Sequence, residues 1–102
     1  MKSLAELELR VVRWAEARKI IPNSTAQTQL MKTVSELGEL CDAEIKGDIE
    51  GIEDGVGDVL VTLILYCDLR NTSIRKCLDG AYNEIKNRKG TLLPNGVFVK
   101  EE

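Results

Sequence analysis

The chain has 102 residues, a formal charge of -3 and no histidine. That length suits one domain with an adequate but not generous core. The modest charge gives no prior for nucleic-acid binding, and the missing histidine excludes His-ligated zinc and every His-based triad, leaving carboxylates and a hard cation as the route to hydrolytic chemistry.

Four helices are predicted in chain order. The first runs from about Leu4 to Lys19, opened by the capping-box spacing of Ser3 and Glu6, with Leu4, Leu7, Val11 and Ala15 at helical intervals. Ile21-Pro22-Asn23-Ser24 breaks it. Ser24 and Gln27 repeat the capping spacing and open a second helix to about Lys46, with an apolar stripe of Leu30, Val34, Leu37, Cys41 and Ile45. Gly47 suits its C-terminal stop.

The third helix is predicted over Ile49–Leu69. Gly51, Gly55 and Gly57 weaken its first half by about 1 kcal/mol each relative to alanine, so that half is either irregular or closely approached by other atoms. Its second half, Val59 to Cys67, is apolar around the whole cylinder. Such a helix needs protein on every side. One small four-helix protomer does not supply that, so the pattern implies an oligomer. Asn71-Thr72-Ser73 opens a fourth helix, about Ile74 to Arg88, with Ile74, Leu78, Ala81 and Ile85 inward. Lys89-Gly90 closes it, and the tail holds a turn signal at Asn95-Gly96 that suits a short hairpin or a docking arm.

The start, Met1 to Glu6, has no apolar signal-peptide core, and no apolar run is long enough to cross a bilayer. Cys41, Cys67 and Cys77 lack metal-site spacing and read as small core residues. Together these features predict a cytoplasmic protein with no membrane or nucleic-acid partner.

Charge is unevenly placed. Residues 36–58 hold nine acids against Lys46 alone, and residues 70–90 hold six bases against two acids. Glu36 and Glu39 are three apart; Asp54 and Asp58 are four apart. Either spacing puts two carboxylates on one helix face, with Cβ atoms roughly 5–6 Å apart. Two such pairs on facing helices make an oxygen-lined site for a divalent cation such as Mg²⁺. Lys32, Glu36, Glu39 and Ala43 lie off the apolar stripe, which alone describes a solvated face. Asp54 and Asp58 instead continue the line of Val61, Thr62, Leu65 and Leu69, within about 60° on the helical wheel. Buried carboxylates there would need a metal or bases from another helix. Tyr82, Asn83, Lys86, Arg88 and Lys89 gather at the end of the fourth helix and suit phosphate, sugar or base contacts; they also suit a plain basic helix C-terminus. Trp14 offers a further stacking face, or a core position.

The run Gln29-Leu30-Met31-Lys32-Thr33-Val34-Ser35-Glu36-Leu37-Gly38-Glu39-Leu40, followed by Gly57-Asp58-Val59-Leu60-Val61, resembles the MazG-like nucleoside triphosphate pyrophosphohydrolases of the all-α NTP pyrophosphatase group. Ala81-Tyr82-Asn83-Glu84-Ile85-Lys86-Asn87-Arg88-Lys89-Gly90 and Asn95-Gly96-Val97-Phe98-Val99-Lys100 resemble the ends of small phage and bacterial members. The resemblance implies one domain over residues 1–102 with a tail at 92–102. It implies an all-α, four-helix bundle-like protomer assembling as a dimer or dimer of dimers with sites at subunit contacts. It implies cleavage of NTP or dNTP to the monophosphate and pyrophosphate with Mg²⁺, Mn²⁺ being an admissible substitute. Glu36, Glu39 and Asp58 match acids of the EExxE and ExxD elements. Ser35 stands where the first Glu would be and Gly55 where the Glu of ExxD would be, leaving Asp54 as the replacement ligand or water-orienting base. Lys32 would hold a carboxylate or phosphate, with Asn83, Lys86, Arg88 and Lys89 on phosphates or sugar. A catalytically degenerate binding module and a helical interaction protein stay open beside the enzyme.

Overall fold

The computed structural model describes residues 1–101. Four helices precede a two-stranded hairpin: α1 Leu4–Ala17, α2 Ala26–Lys46, α3 Ile49–Leu69, α4 Ile74–Ile85, β1 Gly90–Leu92 and β2 Phe98–Lys100. The all-α class is as expected, and the tail forms the hairpin rather than a free arm. Glu102, the last residue of the expected tail, lies outside the described residues.

Local chemistry sets the helix ends. Ser3, Thr25, Asp48 and Ser73 are the N-caps, each side chain accepting from the backbone N–H three residues on. Thr25 replaces the expected Ser24 as the cap of α2, because the Ser24 hydroxyl accepts from Gln29 Nε2 at 2.9 Å. α1 stops short of the expected Lys19, which takes a left-handed φ of 62° and passes its carbonyl to Asn23 Nδ2 at 2.8 Å. α4 ends at Ile85 rather than Arg88, and the chain then turns into the hairpin. Gly47 ends α2 at φ 67°, a conformation that costs glycine little.

The hairpin pairs Gly90 with Lys100, Thr91 with Val99 and Leu92 with Phe98. Gly96 at φ 86° and the Asn95 carboxamide, which accepts from Val97 N at 3.1 Å, form its turn as the Asn-Gly signal required.

α2 and α3 form the main packed unit. Ala43 faces Gly51, Leu40 faces Gly55 and Thr33 faces Thr62, so the two helices run antiparallel. The inner face of α2 is Gln29, Thr33 and Ala43, all buried, with Glu36 and Leu40 half-buried between them. This is one helical row away from the expected stripe, whose members Leu30, Val34, Leu37, Cys41 and Ile45 are all exposed. Small and hydrogen-bonding residues win the contact because they let two backbones approach. The Thr33 hydroxyl donates to Thr62 Oγ1 at 2.8 Å, and Thr62 donates to the Val59 carbonyl at 2.8 Å, so this polar seam is satisfied. Gly55 answers the question of the weakened half-helix. α3 is continuous, and a Cβ at Gly55 would lie 3.0–3.2 Å from Leu40 atoms, including its Cα.

α1 lies on α3 through Glu8, Val11, Val12 and Ala15, whereas the expected inward residues Leu4 and Leu7 are exposed. Ile64, Leu65 and Cys67 of α3 form the centre of the core. Val56 and Leu60 remain exposed, so the apolar cylinder of α3 is open on one side in the protomer. α4 buries no residue; Leu78, Ala81 and Ile85, expected inward, face out, and Ile74 alone of that set is half-buried. Cys41 and Cys77 are exposed too, contrary to the core reading of all three cysteines. The radius of gyration is 16.2 Å, against about 13 Å for a compact chain of this size, because α4 and the hairpin project from the α1–α3 body. Among the described residues, no helix is long and apolar enough to cross a membrane.

Candidate functional site

The antiparallel α2–α3 pair brings both predicted acid pairs to one region. Glu39, Asp54 and Asp58 line a groove of about 370 Å³, with Gly51 and Gly55 among its other lining residues. Asp42, Lys46 and Asp48 line it as well and were not singled out by the sequence. Asp42 lies three residues beyond Glu39 and Lys46 seven, a helical spacing that could have pointed to them. Asp48 is instead engaged as the α3 cap, accepting from Gly51 N at 3.1 Å.

Asp54 and Asp58 are exposed, which corrects the expectation that they continue a buried face. Among the described residues, nothing covers that flank of α3. The crowded acid is Glu36, half-buried on the inner row of α2. Its carboxyl is held above the usual range. The largest cause is a hydrogen bond that protonated Glu36 makes to Glu39, followed by partial burial and the charges of Glu39 and Asp58. Lys32 opposes the rise. Glu36, Glu39 and Asp58 therefore sense one another across two helices, with Lys32 the one base acting on Glu36.

The donor chemistry fits a hard divalent cation: the predicted ligands offer carboxylate oxygens only, in mutual repulsion. Among the described residues, no three acids are already gathered tightly enough to enclose an ion. Binding would thus require side-chain rotation within the groove. Gly55 lies buried against Leu40, so its missing carboxylate is a consequence of close helix contact at that point.

The predicted substrate-binding groups lie elsewhere. Asn83 Nδ2 donates to Asp79 at 3.2 Å, Lys86 Nζ donates to Asn83 at 3.3 Å, and Arg88 pairs with Glu84 at 3.6 Å. Tyr82 is exposed on α4. Arg88 and Lys89, with Lys100, line a concave surface of about 840 Å³ against the hairpin. Among the described residues, none of these lines the acidic groove, and Lys46 is the one base that does. Trp14 is half-exposed on α1 with the Arg18 guanidinium 4.8 Å from its ring centroid, and it lines an apolar depression with Leu7, Val11 and Val61, apart from the acids.

Glu8 was missed as a structural residue. It is buried, accepting from Ile74 N and from Arg75 Nε, both at 2.7 Å, and so ties α1 to the start of α4. The spacing of Leu4, Glu8, Val11 and Ala15 was the signal: an acid on a contact row.

A model of the MazG nucleotide pyrophosphohydrolase domain matches residues 24–92, which include both acid pairs. The chain belongs to this family. An uncharacterised 18.2 kDa protein from the rep–hol intergenic region of Haemophilus phage HP1 (strain HP1c1) is 35% identical over 65 residues. The match covers 64% of this chain and 40% of the phage protein, so this chain spans well under half of that relative. The solved structure of the cyanophage S-2L MazG-like pyrophosphohydrolase, bound to dGDP and three catalytic Mn²⁺ ions per active site, is similar over 100% of both chains, with a TM-score of 0.72 and 18% identity. That likeness establishes the MazG-like all-α fold.

Proposed function

We propose that this MazG-family chain is a metal-dependent pyrophosphohydrolase that cuts a nucleoside triphosphate between its α and β phosphates, releasing a monophosphate and pyrophosphate. The observation that carries the reading is the crowding of Glu36 by Glu39 and Asp58 across the α2–α3 pair. Like charges that outnumber the bases beside them, here Lys32 and Lys46, are an arrangement a divalent cation stabilises. The cyanophage neighbour's Mn²⁺ ions support metal dependence, and its dGDP supports a nucleotide substrate.

In this reading Glu36, Glu39 and Asp58 hold Mg²⁺ or Mn²⁺, and Asp54 serves as a further ligand or accepts a proton from the attacking water. An ion held there would neutralise charge on the phosphates and acidify a water. The chain's own residues supply the geometry. Lys32 restrains the Glu36 carboxylate, and Gly55 lets α3 pack closely on Leu40 so that the acids of both helices border one groove. Lys46 lines the same groove and offers a base to a bound phosphate. Water attacks the α phosphorus in line, the α–β bridging bond breaks, and pyrophosphate leaves. Positioning and charge neutralisation account for most of the acceleration such a site requires.

The set at and beyond the end of α4 does not line the acidic groove, so Asn83, Lys86, Arg88 and Lys89 would act on the phosphates or sugar bound at a second copy. The exposed apolar row of α2 and the open side of α3 support that assembly, as a dimer or dimer of dimers. Tyr82 and Trp14 would offer stacking faces in the same setting. The domain would then be the whole of residues 1–102, acting in the cytoplasm without a nucleic-acid or membrane partner.

The test is pyrophosphate release over a panel of NTPs and dNTPs, with Mg²⁺, with Mn²⁺ and with chelator. Metal-dependent release that falls about 100-fold or more in Glu39→Gln supports the reading. Nucleotide binding without release favours the binding module, for which the Ser35 and Gly55 replacements are the specific argument.

A further inference from the structure

The proposed chemistry leaves unexplained why a carboxylate is buried where α4 begins. Glu8 on α1 is only 5% exposed. Its Oε2 accepts from Ile74 N and its Oε1 from Arg75 Nε, both at 2.7 Å. The first bond satisfies one of the free N–H groups at the start of α4, where the helix dipole also favours a negative charge. The second is an ion pair to a side chain that is itself exposed. Hydrogen bonds to a charged acceptor are shorter and stronger than neutral ones. Little else fixes α4. It buries none of its residues, and among the described residues no other ion pair joins it to α1, α2 or α3. A gap of about 140 Å³ lies at the same joint, lined by Val12, Ile64, Asp68 and Thr72 together with Glu8 and Arg75. A two-point polar clamp, rather than close apolar packing, therefore holds the direction of the helix.

We propose that Glu8 is the positioning residue of the basic arm: its bonds to Ile74 and Arg75 set the direction of α4, and so the place where Asn83, Lys86, Arg88 and Lys89 meet a nucleotide. This rests on the reading that the arm serves a nucleotide site. Glu8 itself lies outside the acidic groove. Its leverage follows from helix geometry. α4 is 12 residues long, which puts its far end about 17 Å from the clamp. A tilt of about 10° at the clamp moves that end by about 3 Å, the length of a hydrogen bond. A displacement of that size carries a donor off its acceptor, so a loose clamp weakens nucleotide binding without touching the acids.

The experiment compares the full-length parent with Glu8→Ala, Glu8→Gln and Arg75→Gln by two readouts. Hydrogen exchange read by mass spectrometry follows α4 against α2. Affinity for the α,β-imido analogues of the dNTPs, with Mn²⁺, follows the nucleotide site without needing turnover. In Glu8→Ala, amide exchange across α4 should quicken about tenfold with α2 unchanged, and nucleotide affinity should fall about tenfold with Mn²⁺ affinity unchanged. Glu8→Gln keeps an acceptor for the Ile74 N–H and should recover part of both losses. Arg75→Gln changes an exposed side chain and leaves the Ile74 bond in place, so it tests the clamp even where Glu8→Ala fails to fold; both effects should appear at about threefold. Unchanged exchange in α4 across the three variants would overturn the proposal. So would faster exchange in α4 with nucleotide affinity intact, which makes Glu8 a structural residue only, and so would a parent that binds none of the analogues. A parent that binds an analogue yet releases no pyrophosphate from any triphosphate sinks the cleavage reading and leaves this comparison standing.

Discussion

Glu36 is the residue whose environment is most informative. Its raised pKa means that the native state binds a proton more tightly than the unfolded chain. Between the ordinary carboxylate range and the raised native value, the native state holds more protons. Metal-free stability therefore falls as pH rises through that window and stays reduced above it. Glu36→Gln should then gain thermal stability over the parent as pH rises from about 4 to about 7, with no gain at the acid end. Added Mg²⁺ should raise the melting temperature of the parent far more than that of the variant; paired thermal scans across pH, with and without the ion, check both. Glu8 is instead held by hydrogen bonds. It is a buried acid with two donors, and Glu8→Ala leaves the Ile74 N–H without its partner, a loss of about 1.5–3 kcal/mol readable by urea denaturation. The sequence made the acid pairs legible because helical spacing is geometric. It did not reveal which of the acids is crowded. Which row of α2 faces α3 decides that, and the more apolar row was the wrong guide.

Elements were read well in number and type, and less well in the face each presents. Hydrophobic periodicity assumes that the most apolar row seeks the protomer core. In α2 the contact with α3 is made by Thr33, Glu36, Leu40 and Ala43, where small side chains and the glycines of α3 allow close approach. Two substitutions separate propensity from packing. Gly80 on α4 has open space around it, so Gly80→Ala should stabilise by about 0.5–1 kcal/mol through helix propensity alone. Gly55→Ala gains the same propensity, but its Cβ meets Leu40 side chain and backbone, and overpacking of about 1–3 kcal/mol should leave a net loss. Chemical denaturation of the pair should give shifts of opposite sign. The hairpin was legible from Asn95-Gly96 because its turn needs positive φ at Gly96. The early ends of α1 and α4 were not, since Lys19 and Lys86 carry no breaker signal of their own.

At the scale of the molecule, the acidic groove and the basic arm belong to one chain but to different ends of it. The chain leaves the aliphatic row of α2 exposed beside the open flank of α3, where apolar burial would drive the proposed association. Val34→Asp, placed in the middle of that row and clear of the acids, should shift sedimentation from oligomer towards monomer, and should reduce turnover if the arm serves a second copy. The central claim, that Glu36, Glu39 and Asp58 hold a cation for cleavage at the α phosphorus, is tested most directly by the products. A nucleoside triphosphate incubated with the protein and Mg²⁺, then resolved by ion-exchange chromatography, should yield monophosphate and pyrophosphate in equal amounts, and neither with Glu39→Gln. Diphosphate with inorganic phosphate, or unchanged triphosphate across the whole panel, would contradict the account.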